Sequence, residues 1–334
     1  MNTTKILWDA ARVGHKQALP ILSFPATQQL GVSVKVMTHD AEIQAKAMAL
    51  VAQNTPTVAA VGLMDLSVEA EAFGATIRFS DNEVPAVTGQ LVDGAQAAQA
   101  LEVPSLDKGR ASLYIDAVKK AKALIPDKPL LAGVIGPYSL AGRLMDVTQI
   151  FYTCFDEPET VHMILEKATQ YIISYCQAFR DAGADGVVMA EPLAGLLNPS
   201  MAEEFSNPYV VKILAAVQSD SFPVVYHNCG GATVSMLPEL FAMKAAAYHF
   251  GNAVDMETVL KGAPADALCM GNIDPARQFA SGSPKGMHDA VFDLMDKCAK
   301  YPNFLISSGC DIPAHASWDN IIAFFDAVAQ YNGK

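Results

Sequence analysis

Short apolar runs recur along the chain, each closed by Gly, Pro, Asn or Asp. They are Leu19–Ser23, Thr57–Leu63, Leu130–Gly136, Gly186–Ala190, Pro223–His227, Ala246–Phe250, Ala267–Gly271 and Phe304–Ser308. Their length and punctuation predict buried strands. Between them the periodicity changes. In Glu159–Phe179 the residues Val161, Ile164, Leu165, Ala168, Tyr171, Ile172 and Tyr175 fall near one stripe, which predicts a helix. Strand-like runs alternating with helix-like runs argue for a parallel sheet, and eight such units argue for a closed (β/α)8 TIM barrel. The expected architecture is therefore α/β. It is one barrel domain over residues 1–334, with an N-terminal extension and an inserted segment near the mouth. The insert is Asp65–Lys128, which is longer than one unit needs and is expected to form a substrate-facing loop or lid. A doubly wound open sheet is the alternative. Against it, no glycine-rich phosphate fingerprint follows the early strands; Val61-Gly62-Leu63 is the nearest approach.

Composition agrees with strands buried on both faces: 51% of residues are hydrophobic and only 17% charged. No apolar run approaches the roughly 18 residues that a membrane-spanning helix needs. The opening MNTTKILWDAARVGHKQ has neither a long apolar core nor a small-residue cleavage site, so a cytoplasmic location is expected. The net charge of −12 repels phosphates, and no Lys/Arg cluster offsets it, so nucleic acid is not an expected partner. Six cysteines are scattered at 154, 176, 229, 269, 298 and 310. In a reducing compartment such thiols are ligands, nucleophiles or core residues rather than disulfides.

Barrel chemistry sits at the C-terminal ends of the strands. Those ends here read Met189-Ala190-Glu191-Pro192, Tyr226-His227-Asn228-Cys229-Gly230-Gly231, His249-Phe250-Gly251-Asn252, Gly271-Asn272-Ile273-Asp274-Pro275 and Ser308-Gly309-Cys310-Asp311. His227, Cys229 and Cys310 make a nitrogen–sulfur–sulfur set suited to Zn2+, with a fourth position left for water or substrate. The i, i+2 spacing puts His227 and Cys229 on one side of an extended segment, and Gly230, Gly231 and Gly309 are expected to allow sharp turns. Two thiolates weaken zinc as a Lewis acid toward water, so the set suits holding a substrate thiol as a nucleophile. A His-x-Cys pair alone is often plain packing, since cysteine is commonly buried. The second cysteine at another strand end, flanked by glycine, favours the ligand reading. Cys154, Cys176 and Cys298, in helix-like stretches, and Cys269, inside a strand, read as structural.

His-x-Cys followed by a distant Gly-Cys near the last strand resembles the uroporphyrinogen decarboxylase superfamily, and within it the methylcobamide:coenzyme M methyltransferases. The resemblance covers nearly the whole chain. It includes Glu69-Ala70-Glu71-Ala72-Phe73-Gly74, Gly136-Pro137 and Glu191-Pro192. It implies a (β/α)8 barrel with zinc on His227, Cys229 and Cys310. It further implies a methylated corrinoid (a cobamide, the cobalamin type of cofactor) as donor, carried by a small corrinoid protein, and a small thiol such as coenzyme M as acceptor. The resemblance thus points to a methyltransferase of one-carbon metabolism.

Members of that group are expected to carry an acidic residue after the sixth strand as a fourth ligand. This chain has His249-Phe250-Gly251-Asn252 there, which leaves the position to water, substrate sulfur or another side chain. Glu191 is the first alternative, or a carboxylate bonded to backbone. Glu191 and His249 are the candidate proton acceptors. Asn252, Asn272 and Asp311 are the candidate substrate contacts, although Asn-x-Asp-Pro, which includes Asp274, is also ordinary turn chemistry. Asp311 could equally orient a ligand from behind, and His315 shares that ambiguity. Other acceptors, tetrahydrofolate or homocysteine, stay open, as does a corrinoid-handling binding protein without turnover. The decarboxylase branch carries an N-terminal arginine-rich segment for porphyrinogen carboxylates. Here only Arg12 and Lys16 stand in Ala10–Pro20.

Overall fold

The computed structural model describes residues 1–333. Seven parallel strands lie side by side in the order β1 (Ala60–Val61), β4 (Leu130–Ile135), β5 (Gly186–Ala190), β6 (Val224–Asn228), β7 (Ala247–Phe250), β8 (Cys269–Ile273) and β9 (Phe304–Ser308). A short antiparallel hairpin, β2 (Thr76–Arg78) and β3 (Ala86–Thr88), stands apart. Helices such as Ala111–Leu124, Pro158–Asp181 and Pro284–Cys298 return the chain between successive strands. This is the expected α/β barrel architecture, and seven of the eight expected apolar runs become strands.

The eighth run corrects the expectation. Leu19–Ser23 is buried but forms no regular strand; its sheet contact is a single parallel bridge between Ala18 and Ile306. Pro20 has no N–H to give a ladder, and the Ile21 N–H turns instead to the Ser308 hydroxyl (3.0 Å). The segment still fills the seam: the Leu19 N–H donates to the Ile306 carbonyl, and the Val58 N–H donates to the Ala18 carbonyl. Irregular backbone thus joins the last strand to the first.

Strand alternation builds two apolar layers. Val61, Leu131, Val188, Val225, Ala247, Met270 and Leu305 pack inside the ring with Leu19 and Ile21. Leu130, Ala132, Val187, Met189, Val224 and Ile306 face the surrounding helices. With a period of two, the next inward positions after Val225, Ala247 and Leu305 are His227, His249 and Ser307. The top layer of the interior is therefore polar. Helix Thr3–Ala10 lays Leu7 and Ala10 against the inner layer at the opposite end. Beside it the buried Lys16 ammonium donates to the carbonyls of Ala11, Tyr301 (2.6 Å) and Phe304 (2.9 Å).

Within Asp65–Lys128, a short helix (Val68–Ala72), the β2–β3 hairpin and helix Ala95–Ala100 are added ahead of the return helix Ala111–Leu124. Val84 to Val87, from the hairpin, wall the cavity above the ring, as expected of an excursion over the mouth. The hairpin's root rests on Arg110. That guanidinium pairs with Asp65 and Glu71 (2.6 Å each), and its carbon lies 4.9 Å from the Phe79 ring centre. Among the described residues no helix is long and apolar enough to cross a membrane.

Candidate metal centre

His227 and Cys229 leave the top of β6, and Cys310 follows β9. One ligand atom from each lies within 4.8 Å of the other two, and no further His, Cys, Asp or Glu among the described residues joins the group. The His227 Nε2 to Cys310 Sγ separation is 3.5 Å. Tetrahedral zinc with N and S at about 2.0 and 2.3 Å places such atoms about 3.5 Å apart. The donor set, and the His227–Cys310 spacing, therefore suit zinc. The Cys310 thiol bonds to Cys229, and His227 adds a second favourable contact, so the Cys229 thiol is held well below its ordinary value. The site favours a thiolate ligand before any ion arrives.

Glycines make the approach possible, but through space rather than by left-handed turns. Gly230 has a φ of −74°, and neither Gly231 nor Gly309 adopts a positive φ. A Cβ on Gly309 would meet the Asn252 backbone nitrogen at 2.7 Å, and one on Gly251 would meet Cys229 Cα at 2.6 Å. Gly251 is a site residue that spacing alone did not suggest.

The ring behind His227 fixes which nitrogen faces the ligand set. The Ser307 hydroxyl donates to the Leu19 carbonyl (2.6 Å), so its oxygen accepts from His249 Nε2 (2.8 Å). Burial first, and neighbouring His227 second, push the His249 imidazole well below its ordinary value, so it is neutral. Its Nδ1 is then a lone pair that accepts from His227 Nδ1 (2.8 Å). The His249 carbonyl also accepts from His227 Nδ1 (3.2 Å), so Nδ1 is the donor and Nε2 is the nitrogen turned toward Cys310. His249 is 1% exposed and does not reach the cavity, so its contact is with His227. Ser307 went unnoticed in the sequence, although two-residue alternation from Leu305 would have found it.

The cavity at the mouth holds about 310 Å³. Its walls are mostly apolar (Ile21, Met64, Leu66, Val84, Pro85, Val87, Ala190, Pro192), and its polar lining is His227, Cys229, Cys310, Asp311, Ser67 and Arg143. Asp311 therefore lies where a substrate contact was expected. Burial pushes its carboxyl well above the ordinary value, and Oδ1 has no hydrogen-bond partner. Glu191 is fully buried and lies outside that lining, under the first turn of helix Pro137–Met145, accepting from the Ser139 N–H (2.5 Å). Burial raises it to about 8. It does not join the ligand group, and a Cβ on Gly136 would fall 1.8 Å from its Oε2.

Asn252 and Asn272 border a separate, open groove on the other side of the β7 and β8 loops. Asn272 ties that loop by donating to the carbonyls of Gly251 (2.9 Å) and Val254 (2.8 Å). Asp274 caps the next turn through the Ala276 and Arg277 N–H groups, and His315 is exposed. Cys154, Cys176, Cys269 and Cys298 are buried and unpaired, each thiol pushed up by burial. They sit in helices and a strand, away from the ligand group.

Comparison with known proteins narrows the family. The chain is 27% identical over 274 residues to the methylcobamide:CoM methyltransferase MtbA of Methanosarcina acetivorans, covering 80% of this chain and 78% of that protein. It is also 27% identical over 289 residues to the uroporphyrinogen decarboxylase of Xanthomonas oryzae pv. oryzae, covering 83% and 80%. Among solved structures, a methyltransferase from Methanosarcina mazei superposes with a TM-score of 0.87 at 20% identity, over 98% of this chain and 99% of that one. A B12-independent methionine synthase from Shewanella sp. W3-18-1 gives 0.65 at 11% identity, over 95% of each chain. Both likenesses bear on the fold. The family model for uroporphyrinogen decarboxylase (URO-D) matches residues 15–331, and the chain belongs to that family.

Proposed function

We propose that this chain is a zinc-dependent methyltransferase, moving a methyl group from a methylated corrinoid, carried by a small partner protein, to a small thiol. The observation that carries the reading is the ligand set itself: one imidazole and two thiols gathered at the mouth of an apolar cavity, with no fourth His, Cys, Asp or Glu joining them among the described residues. The names of the Methanosarcina relatives support the same direction. Zinc held there supplies a position at which an acceptor sulfur is kept deprotonated and nucleophilic. The chain's own residues do the rest. His227 presents a fixed lone pair, and Cys229 and Cys310 bring negative charge. The apolar walls exclude water from the transfer. His249 acts as a positioning residue behind His227, and Asp311 is the carboxyl group at the cavity wall. The cytoplasmic, one-domain protein inferred from the sequence is consistent with this role.

Porphyrinogen decarboxylation is the competing reading, since relatives so named match about as well. A substrate with four or eight carboxylates calls for several cations, and among the described residues Arg143 is the one Lys or Arg in the cavity lining. Purified protein should hold about one zinc per chain, and Cys229→Ala or Cys310→Ala should lose most of it while folding normally. Methylcobalamin mixed with a small thiol should be demethylated, followed by its visible spectrum. Metal-free protein that demethylates as fast as the zinc form, or decarboxylation of uroporphyrinogen in its place, would overturn the assignment.

A further inference from the structure

Arg143 stands in the seventh position of helix Pro137–Met145, half-buried, and lines the cavity that contains the ligand set. Its Nε is buried without a hydrogen-bond partner, and no carboxylate lies within ion-pair distance among the described residues. The nearby acids are engaged elsewhere. Asp65 pairs with Arg110 at 2.6 Å and also accepts from Tyr114 and Ser67; Glu191 is held under the start of the same helix. Asp311 shares the cavity wall, yet it makes no ion pair and keeps an oxygen unpartnered. A guanidinium thus stands at the wall of a mostly apolar cavity with no ion pair among the described residues. Uncompensated buried charge is costly, and its planar fork matches carboxylate, sulfonate or phosphate oxygens.

We infer that Arg143 is the specificity-determining residue for the methyl acceptor. It selects a thiol that carries an anionic group, received at Arg143 while the sulfur lies at His227, Cys229 and Cys310. This rests on the thiol-methylation reading above and resolves which of its acceptors fits. A thiol with an ammonium beside its anion, such as homocysteine, brings a like charge toward the guanidinium. A neutral thiol leaves that guanidinium unmet. The cavity of about 310 Å³ is at the small end for ligand sites, which favours a compact acceptor over a folate.

Calorimetric titration of the zinc-loaded chain tests this with 2-mercaptoethanesulfonate, 3-mercaptopropionate, 2-mercaptoethanol and cysteamine, and with the sulfur-free anion ethanesulfonate. The anionic thiols should bind at least about 10-fold more tightly than 2-mercaptoethanol, the worth of one charge-assisted contact. Arg143→Gln should erase that preference and leave 2-mercaptoethanol binding unchanged, while Arg143→Lys should restore part of it. In turnover, KM for the anionic thiol should rise in Arg143→Gln with kcat held. Circular dichroism checks that both variants fold. If no thiol binds, but ethanesulfonate binds the wild type and not Arg143→Gln, the anion site stands and the thiol reading falls. Equal binding of anionic and neutral thiols, or a preference that survives Arg143→Gln, overturns the inference.

Discussion

A single hydroxyl sets the histidine that stands behind His227. Ser307 can give its one hydrogen only to the Leu19 carbonyl, which fixes the His249 tautomer, and His249 then holds His227 Nδ1 through both its own Nδ1 and its carbonyl. Outer partners of this kind typically change metal affinity by 10–100-fold. Ser307→Ala should therefore weaken zinc binding about 10-fold or more in competition with a chelator, with the fold intact. Ser307→Thr, which keeps the hydroxyl, should recover most of the loss. Unchanged affinity in the alanine variant would mean that the chain of bonds does not set the imidazole. At this scale the ligands were legible because histidine and cysteine announce themselves. Ser307, Arg143 and Gly251 were not, since each matters only through what it touches.

Helix Pro137–Met145 joins two unusual groups, with Glu191 beneath its first turn and Arg143 on its seventh residue. Burial raises the Glu191 carboxyl to about 8, whereas an exposed glutamate titrates near about 4.3. Between those values the folded chain keeps a proton that the unfolded chain has released. Stability from this group is thus complete below the lower value and is lost as pH rises through the upper one. Glu191→Gln should flatten the fall in urea-unfolding free energy between about pH 5 and about pH 8, by up to about 1 kcal/mol per pH unit. Wild-type and variant curves that run parallel would refute the buried acid. Seven strands were readable because each is a short apolar run with clear punctuation. Leu19–Ser23 had the same signature, but Pro20 denies it a ladder, and periodicity does not register one missing donor. The β2–β3 hairpin was invisible for the opposite reason. Its strands are three residues long and none of their residues is buried, so they carry no clear apolar alternation.

Across the whole molecule, the end of the ring opposite the cavity is locked by Lys16. Its ammonium gathers three carbonyls from two distant parts of the chain, and its backbone exchanges hydrogen bonds with the Asn332 side chain. Lys16 stands in the stretch where the decarboxylase branch carries its arginines, and burial at the ring's floor makes it a structural clasp. Lys16→Met keeps the stem and strands the carbonyls, so unfolding free energy should drop by about 2–4 kcal/mol. Zinc stoichiometry should hold, because the clasp and the ligand set are at opposite ends of the strands. A loss below about 1 kcal/mol in a chemical denaturation series would show that water replaces the ammonium at no cost.

The irregular seam at Ala18–Ile21 also has a bearing on assembly. The carbonyl that terminates the Ser307–His249–His227 sequence belongs to Leu19, the residue that joins the last strand to the first. While that seam is open, Ser307 has lost its acceptor, and the His249 carbonyl alone is left to orient His227. Capture of an ion by such a chain would be weak, because its imidazole must first be ordered. Metal uptake would thus discriminate between a circle that has shut and one still ajar, and a tightly held ion would certify that the last stitch of folding is in place.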